Sequence, residues 1–107
     1  MLTEGRKYRR TPKRFLVQVY AVHDSLLDGI ATVENVSVRG TRVLTWRAWE
    51  SGSHLELKSP TTGDTWARAR VVYCLPVSPK EFAVGLDFMR QTSEWDKRAE
   101  IPTPSER

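Results

Sequence analysis

Glu81-Phe82-Ala83-Val84-Gly85-Leu86-Asp87-Phe88 is the stretch that decides the fold. Phe82, Val84, Leu86 and Phe88 recur at every second position, with Ala83, Gly85 and Asp87 between them. A period of two is the spacing of a strand with one buried face, because successive side chains of extended backbone point to opposite sides. Working upstream, Thr65 to Leu75 places Ala67, Ala69, Val71, Tyr73 and Leu75 on one face and Trp66, Arg68 and Arg70 on the other, with Pro76 and Pro79 expected to close the strand. Leu55 and Leu57 alternate with His54, Glu56 and Lys58, and Ser59-Pro60-Thr61-Thr62-Gly63-Asp64 is dense in turn residues, so a hairpin is expected there. Phe15 to Val22, Ile30 to Ser37 and Thr41 to Thr45 add three further strands, the last two separated by a break at Gly40. Trp46 to Glu50 fits a helical turn and a loop equally well.

Six short strands with turn signals at regular intervals predict an all-β chain, folded as a six-stranded antiparallel β-barrel whose closure removes exposed sheet edges. Small inner residues such as Ala67 and Ala69 suit a narrow barrel. The expected core is Phe15, Val17, Val19, Val33, Val43, Leu55, Leu57, Val71, Phe82, Val84, Leu86 and Phe88. Downstream of the last strand, Ser93 can cap a short C-terminal helix over Glu94 to Ala99, with Asp96 three residues on and Trp95 placed to pack on the barrel. At 107 residues the chain has the length of one domain. The expected organisation is a flexible basic N-terminal arm over 1–8, a barrel domain over 9–99 and a disordered tail over 100–107.

Charge is distributed unevenly. Residues 1–14 hold Arg6, Lys7, Arg9, Arg10, Lys13 and Arg14 against Glu4, whereas the remainder carries 11 Lys and Arg against 12 Asp and Glu. A long nucleic-acid groove needs basic residues spread over the body; a basic arm on a near-neutral body suits a small anion or an acidic partner. Single-stranded nucleic acid, the ligand that four tryptophans on a small barrel would otherwise suggest, is therefore the weaker expectation. No apolar run approaches the length of a membrane span, and no apolar h-region of a secretory signal stands behind the N-terminal charges, so a cytoplasmic protein without a membrane span is expected. One cysteine, Cys74, and two distant histidines, His23 and His54, leave no metal-ligand spacing and no internal disulfide. Nothing in the residue pattern assembles a nucleophile with a base, a convergent carboxylate pair or a phosphate loop, so the expectation is a binding protein that is not an enzyme and has no cofactor.

Two local patterns carry more information. Arg10-Thr11-Pro12-Lys13-Arg14 is an RxxxR; with 12 arginines, about 1.3 such pairs arise by chance, so alone it decides nothing. Asn35-Val36-Ser37-Val38-Arg39-Gly40 fits [DN]xSxxG, for which the chance expectation is about 0.02. In this order, an arginine pair before the first strand, then [DN]xSxxG at the end of the second, then a glycine framed by apolar residues in the last (Val84-Gly85-Leu86-Asp87-Phe88), the chain resembles the PilZ domain family over about residues 9 to 98. That resemblance implies a barrel of PilZ type and a receptor for the bacterial second messenger cyclic di-GMP.

The implied site is Arg10 and Arg14 as the motif arginines, Asn35 and Ser37 on a guanine edge, and Gly40 letting backbone approach the ligand or take a positive φ. Arg9, next to the motif, would serve a second cyclic di-GMP. Arginine suits this ligand because its planar fork matches phosphate and the O6/N7 edge of guanine, and its flat face stacks. Asparagine in place of aspartate at position 35 offers a neutral oxygen where a carboxylate would accept from two guanine N–H groups, which predicts weaker binding. Without a second domain, the output is expected from an unknown downstream protein, with the arm ordering around the ligand and the chain a monomer or weak dimer. The competing expectation is a barrel of the same type that docks on protein without binding nucleotide. Asn, Ser and Gly are also ordinary turn residues, and outward arginines such as Arg68 and Arg70 ordinarily face solvent.

Overall fold

The computed structural model describes residues 11–22 and 28–100. Six strands, β1 (Thr11–Ala21), β2 (Asp28–Val36), β3 (Gly40–Thr45), β4 (His54–Lys58), β5 (Thr65–Ser78) and β6 (Glu81–Gln91), precede one helix, α1 (Ser93–Ala99). Every pairing is antiparallel, and the strands close into a barrel in the order β1-β2-β3-β6-β5-β4. The β4–β5 hairpin forms where the turn residues stand: Ser59 Oγ accepts from the amides of Thr61 and Thr62, and Gly63 takes φ 81°, which a residue without Cβ adopts at little cost.

The core is the inside of the ring. Val17, Val19, Val33, Val43, Leu55, Leu57, Val71, Val84 and Leu86 are all buried there, as alternation predicts. Phe15, Phe82 and Phe88 are only partly buried and pack against this cluster from its ends. Below them, Trp95 of α1 is fully buried against Phe15, Trp66 and Phe88, with ring centroids at 5.6, 6.4 and 5.3 Å. Such tilted and edge-on pairs add to the burial of the rings themselves. The helix thus closes one end of the barrel.

Several expectations need correction. Trp66 is buried rather than outward, because α1 lays Trp95 over it. Ladder β5–β6 shifts register between Val71 and Tyr73, so the alternation inverts there: Cys74 packs on the core while Leu75 is exposed. Ala83 and Gly85 face outward yet are buried; the Tyr73 ring covers Gly85 so closely that a Cβ there would stand 2.1 Å from it. Pro76 does not end β5, which runs on to Ser78 paired with β6. The cap of α1 is Thr92, whose side chain accepts from the Trp95 amide. Part of the basic stretch is already barrel: Thr11 to Arg14 opens β1. At the other end, Glu100 closes α1 in the left-handed conformation and pairs with Lys13. Residues 1–10, 23–27 and 101–107, and with them the expectations for the arm over 1–8, for His23 and for the tail after Glu100, lie outside the described residues.

Candidate functional site

The two sequence patterns, more than twenty residues apart, meet on adjacent strands. Thr11 pairs with Val36 and Pro12 with Asn35, so the start of β1 lies along the end of β2. Asn35 in turn pairs with Arg42 of β3. Both ladders are irregular at the same place. On one side Lys13 and Arg14 oppose Glu34 between the pairs Pro12–Asn35 and Phe15–Val33; on the other, Glu34 is the extra residue between Val33–Val43 and Asn35–Arg42. An inserted residue re-aims the side chains around it. Val33 and Val36 remain inside the barrel, while Glu34 and Asn35 are both half-buried.

Beyond Val36 the chain turns through Ser37-Val38-Arg39-Gly40. The Ser37 amide donates to the Gly40 carbonyl at 2.9 Å, while Ser37 Oγ accepts from the amides of Arg39 (3.2 Å) and Gly40 (3.1 Å) and donates to the Gly40 carbonyl (3.3 Å). A hydroxyl has one donor and two acceptor positions, and all three are used. Ser37 is 7% exposed. The Phe88 amide ties the turn to β6 through the Arg39 carbonyl at 2.8 Å, and Thr41 Oγ1 donates to the Asn35 carbonyl at 2.7 Å. Gly40 is not among the glycines with positive φ. What position 40 requires is room: β3 passes the Leu86 carbonyl so closely that a Cβ would overlap it. Its close approach is to the neighbouring strand.

Arg14 stands at the open side of this arrangement, its side chain 66% exposed, with Nη2 3.7 Å from Glu34 Oε2. Arg42 Nε donates to Glu34 Oε1 at 2.9 Å. The structure therefore brings Arg14, Asn35, Ser37 and Gly40 together, and adds Glu34 and Arg42, which the sequence reading did not single out. The available signal was Arg42 following Gly40 by two residues on the outward face of a strand. Arg9 and Arg10 fall outside the described residues; Arg10 is the residue before Thr11 in sequence. Elsewhere, a recess of about 320 Å³ lies under α1, lined by Trp66, Glu94, Lys97, Arg98 and Glu100. Among the described residues no cluster of three His, Cys, Asp or Glu could hold a metal ion, and no helix is long and apolar enough to cross a membrane.

The fold itself is shared with solved structures. The PilZ domain with c-di-GMP of YcgR from Escherichia coli superposes with a TM-score of 0.60 over 91% of this chain and 87% of that one, at 12% identity. The chain has a PilZ-type fold. Bacillus subtilis Inhibitor of motility (MotI/DgrA) matches this PilZ barrel with a TM-score of 0.62 over 91% of the chain, at 17% identity. The barrel spans about half the length of that Bacillus protein, 49% of which is covered. Neither a protein-family model nor a curated protein matches the sequence.

Proposed function

We propose that this PilZ-fold chain is a binding protein for cyclic di-GMP, taking the ligand where the start of β1 lies against the end of β2 and the turn that follows. The observation that carries the reading is the pairing of Pro12 with Asn35, which puts the arginine pattern and the NxSxxG pattern side by side. Support also comes from the solved PilZ domain of YcgR, whose structure contains c-di-GMP. Arg14 supplies an exposed guanidinium for phosphate or for stacking on guanine, and Arg10 a second. Asn35 offers its amide to a guanine edge. Ser37 and Gly40 serve the site by holding the turn, since the serine hydroxyl is committed within it. Arg9 contacts a second ligand. The chain performs no catalysis, acts in the cytoplasm and passes the signal on when the segment ahead of Thr11 folds over the ligand and alters the surface that a downstream protein reads.

Calorimetry with cyclic di-GMP, GTP and a single-stranded oligonucleotide tests the reading. Only cyclic di-GMP is expected to bind. Arg10→Ala and Arg14→Ala should each lose roughly ten- to a hundredfold in affinity, the worth of a charge-assisted contact, and Arg14→Lys should not restore it, because an ammonium lacks the fork and the flat face. Arg9→Ala should still bind, with stoichiometry falling from two ligands to one. Equal weakening by every arginine substitution, abolished by salt, would refute a specific site. A second reading, a docking barrel without nucleotide, is favoured by the exposed outward aliphatics Leu16, Ile30, Leu75 and Val77. Absence of heat with cyclic di-GMP would select it.

A further inference from the structure

Glu34 is placed at the double irregularity of β2, between Arg14 of β1 and Arg42 of β3. One carboxylate oxygen accepts from Arg42 Nε at 2.9 Å, and the other lies 3.7 Å from Arg14 Nη2. The first contact is a hydrogen bond; the second is ionic attraction without one. The burial differs in the same sense. Glu34 and Arg42 have side chains 23% and 34% exposed, whereas Arg14 is 66% exposed.

We infer that Glu34 is an internal competing anion: held by Arg42, it occupies the field of Arg14 that a ligand phosphate must enter, and so lowers the affinity of the site. The inference rests on the proposed cyclic di-GMP reading and deepens it. A carboxylate next to an approaching phosphate repels it, and that repulsion is only partly screened near a protein surface. A carboxylate could alternatively preorganise the arginine. The geometry opposes this, because a guanidinium two-thirds exposed and beyond hydrogen-bond reach is not fixed by its partner. Arg42, in contrast, is hydrogen-bonded to Glu34 and determines how much of its charge Arg14 feels. It is a positioning residue for the carboxylate, and it sits beside Asn35 in the register of β3 on β2.

Cyclic di-GMP is titrated calorimetrically into the parent chain, Glu34→Gln, Glu34→Ala, Arg42→Gln and the Glu34→Gln/Arg42→Gln pair, each at low and moderate salt, with a thermal melt on every variant. Both Glu34 variants should bind about two- to fivefold more tightly than the parent, the scale of an exposed ion pair, with unchanged stoichiometry. Their affinity should also fall more steeply with salt, since one more uncompensated cation meets the phosphates. Arg42→Gln should weaken binding, and that loss should shrink when Glu34 is already glutamine. Parent-like or weaker affinity in both folded Glu34 variants overturns the inference while leaving the cyclic di-GMP site in place, and so does an Arg42→Gln loss of equal size in both backgrounds. No binding by the parent chain overturns the function reading and this inference with it.

Discussion

Gly40 and Leu86 meet without room for a side chain between them: a Cβ on Gly40 would stand 2.0 Å from the Leu86 carbonyl oxygen and 3.1 Å from its carbon. Those obstructing atoms are backbone of β6, which is held on both sides by ladders to β3 and β5. They cannot rotate away as a side chain would.

Gly40→Ala should therefore force β3 and β6 apart and destabilise the fold by about 3 kcal/mol, at the upper end of ordinary overpacking. Urea denaturation would show it as a lower midpoint with an unchanged slope. An unaltered midpoint would mean that the strands separate freely at this point.

Ser37→Ala leaves the amides of Arg39 and Gly40 without their side-chain acceptor in a turn whose two ends, Ser37 and Gly40, are buried. The expected cost is about 1 to 2 kcal/mol. Amide hydrogen exchange at position 40 should accelerate, and ligand affinity should fall less than in Arg14→Ala, because the hydroxyl is engaged in the turn.

Trp95→Ala should cost about 3 to 5 kcal/mol by emptying the space among Phe15, Trp66 and Phe88. The near-ultraviolet circular dichroism of the aromatic cluster should collapse with it. Trp46→Ala serves as the comparison: that residue is 60% exposed and its indole rests on Gly29, so its loss should cost clearly less than that of Trp95.

The Lys13 ammonium, by hydrogen bond and by charge, holds the Glu100 carboxyl below the usual carboxylate range. A folded value lowered in this way stabilises the chain above the carboxyl's ordinary value, and the contribution is lost as pH falls through the folded one. Because Glu100 is open to solvent, the effect on stability should be small. Lys13→Gln should return the Glu100 titration, followed by carboxyl-carbon NMR, to the ordinary range while the melting temperature barely moves. A titration that stays put would assign the shift to another group.

The barrel was legible because its signal is periodic. Val17, Val19, Leu55, Leu57, Val84 and Leu86 each fall on the face that alternation assigns them. Alternation cannot locate an inserted residue, and Val71-Val72-Tyr73 is β-branched or aromatic throughout, so nothing in its composition marks where the register slips. Trp66 was misplaced for a different reason: what buries it is a helix from the far end of the domain, and strand patterning contains no information about that contact. Lys13 and Arg14 read as lying ahead of the first strand, at Phe15, because they are charged, yet a ladder is made by backbone groups, to which side-chain charge is irrelevant. At the candidate site, Asn35, Ser37 and Gly40 are singled out by spacing, and the structure places them at the end of β2 and in the turn after it. Glu34 and Arg42 were not, since an acidic and a basic residue on outward strand positions look like any solvated pair until the register sets them face to face.

The ring closes through ladders between segments far apart in the chain, β1 with β4 and β3 with β6, while β4–β5 and β5–β6 are local hairpins. Joining distant segments makes assembly slow, since a long loop must be drawn in before the contacts reward it. The entropy of that loop grows only logarithmically with its length. The exposed turn at Pro60–Asp64 can therefore accept inserted residues at little thermodynamic expense, whereas one added methyl at Gly40 cannot be absorbed. For anyone grafting a reporter onto this barrel, tolerance follows the connections and intolerance follows the seams.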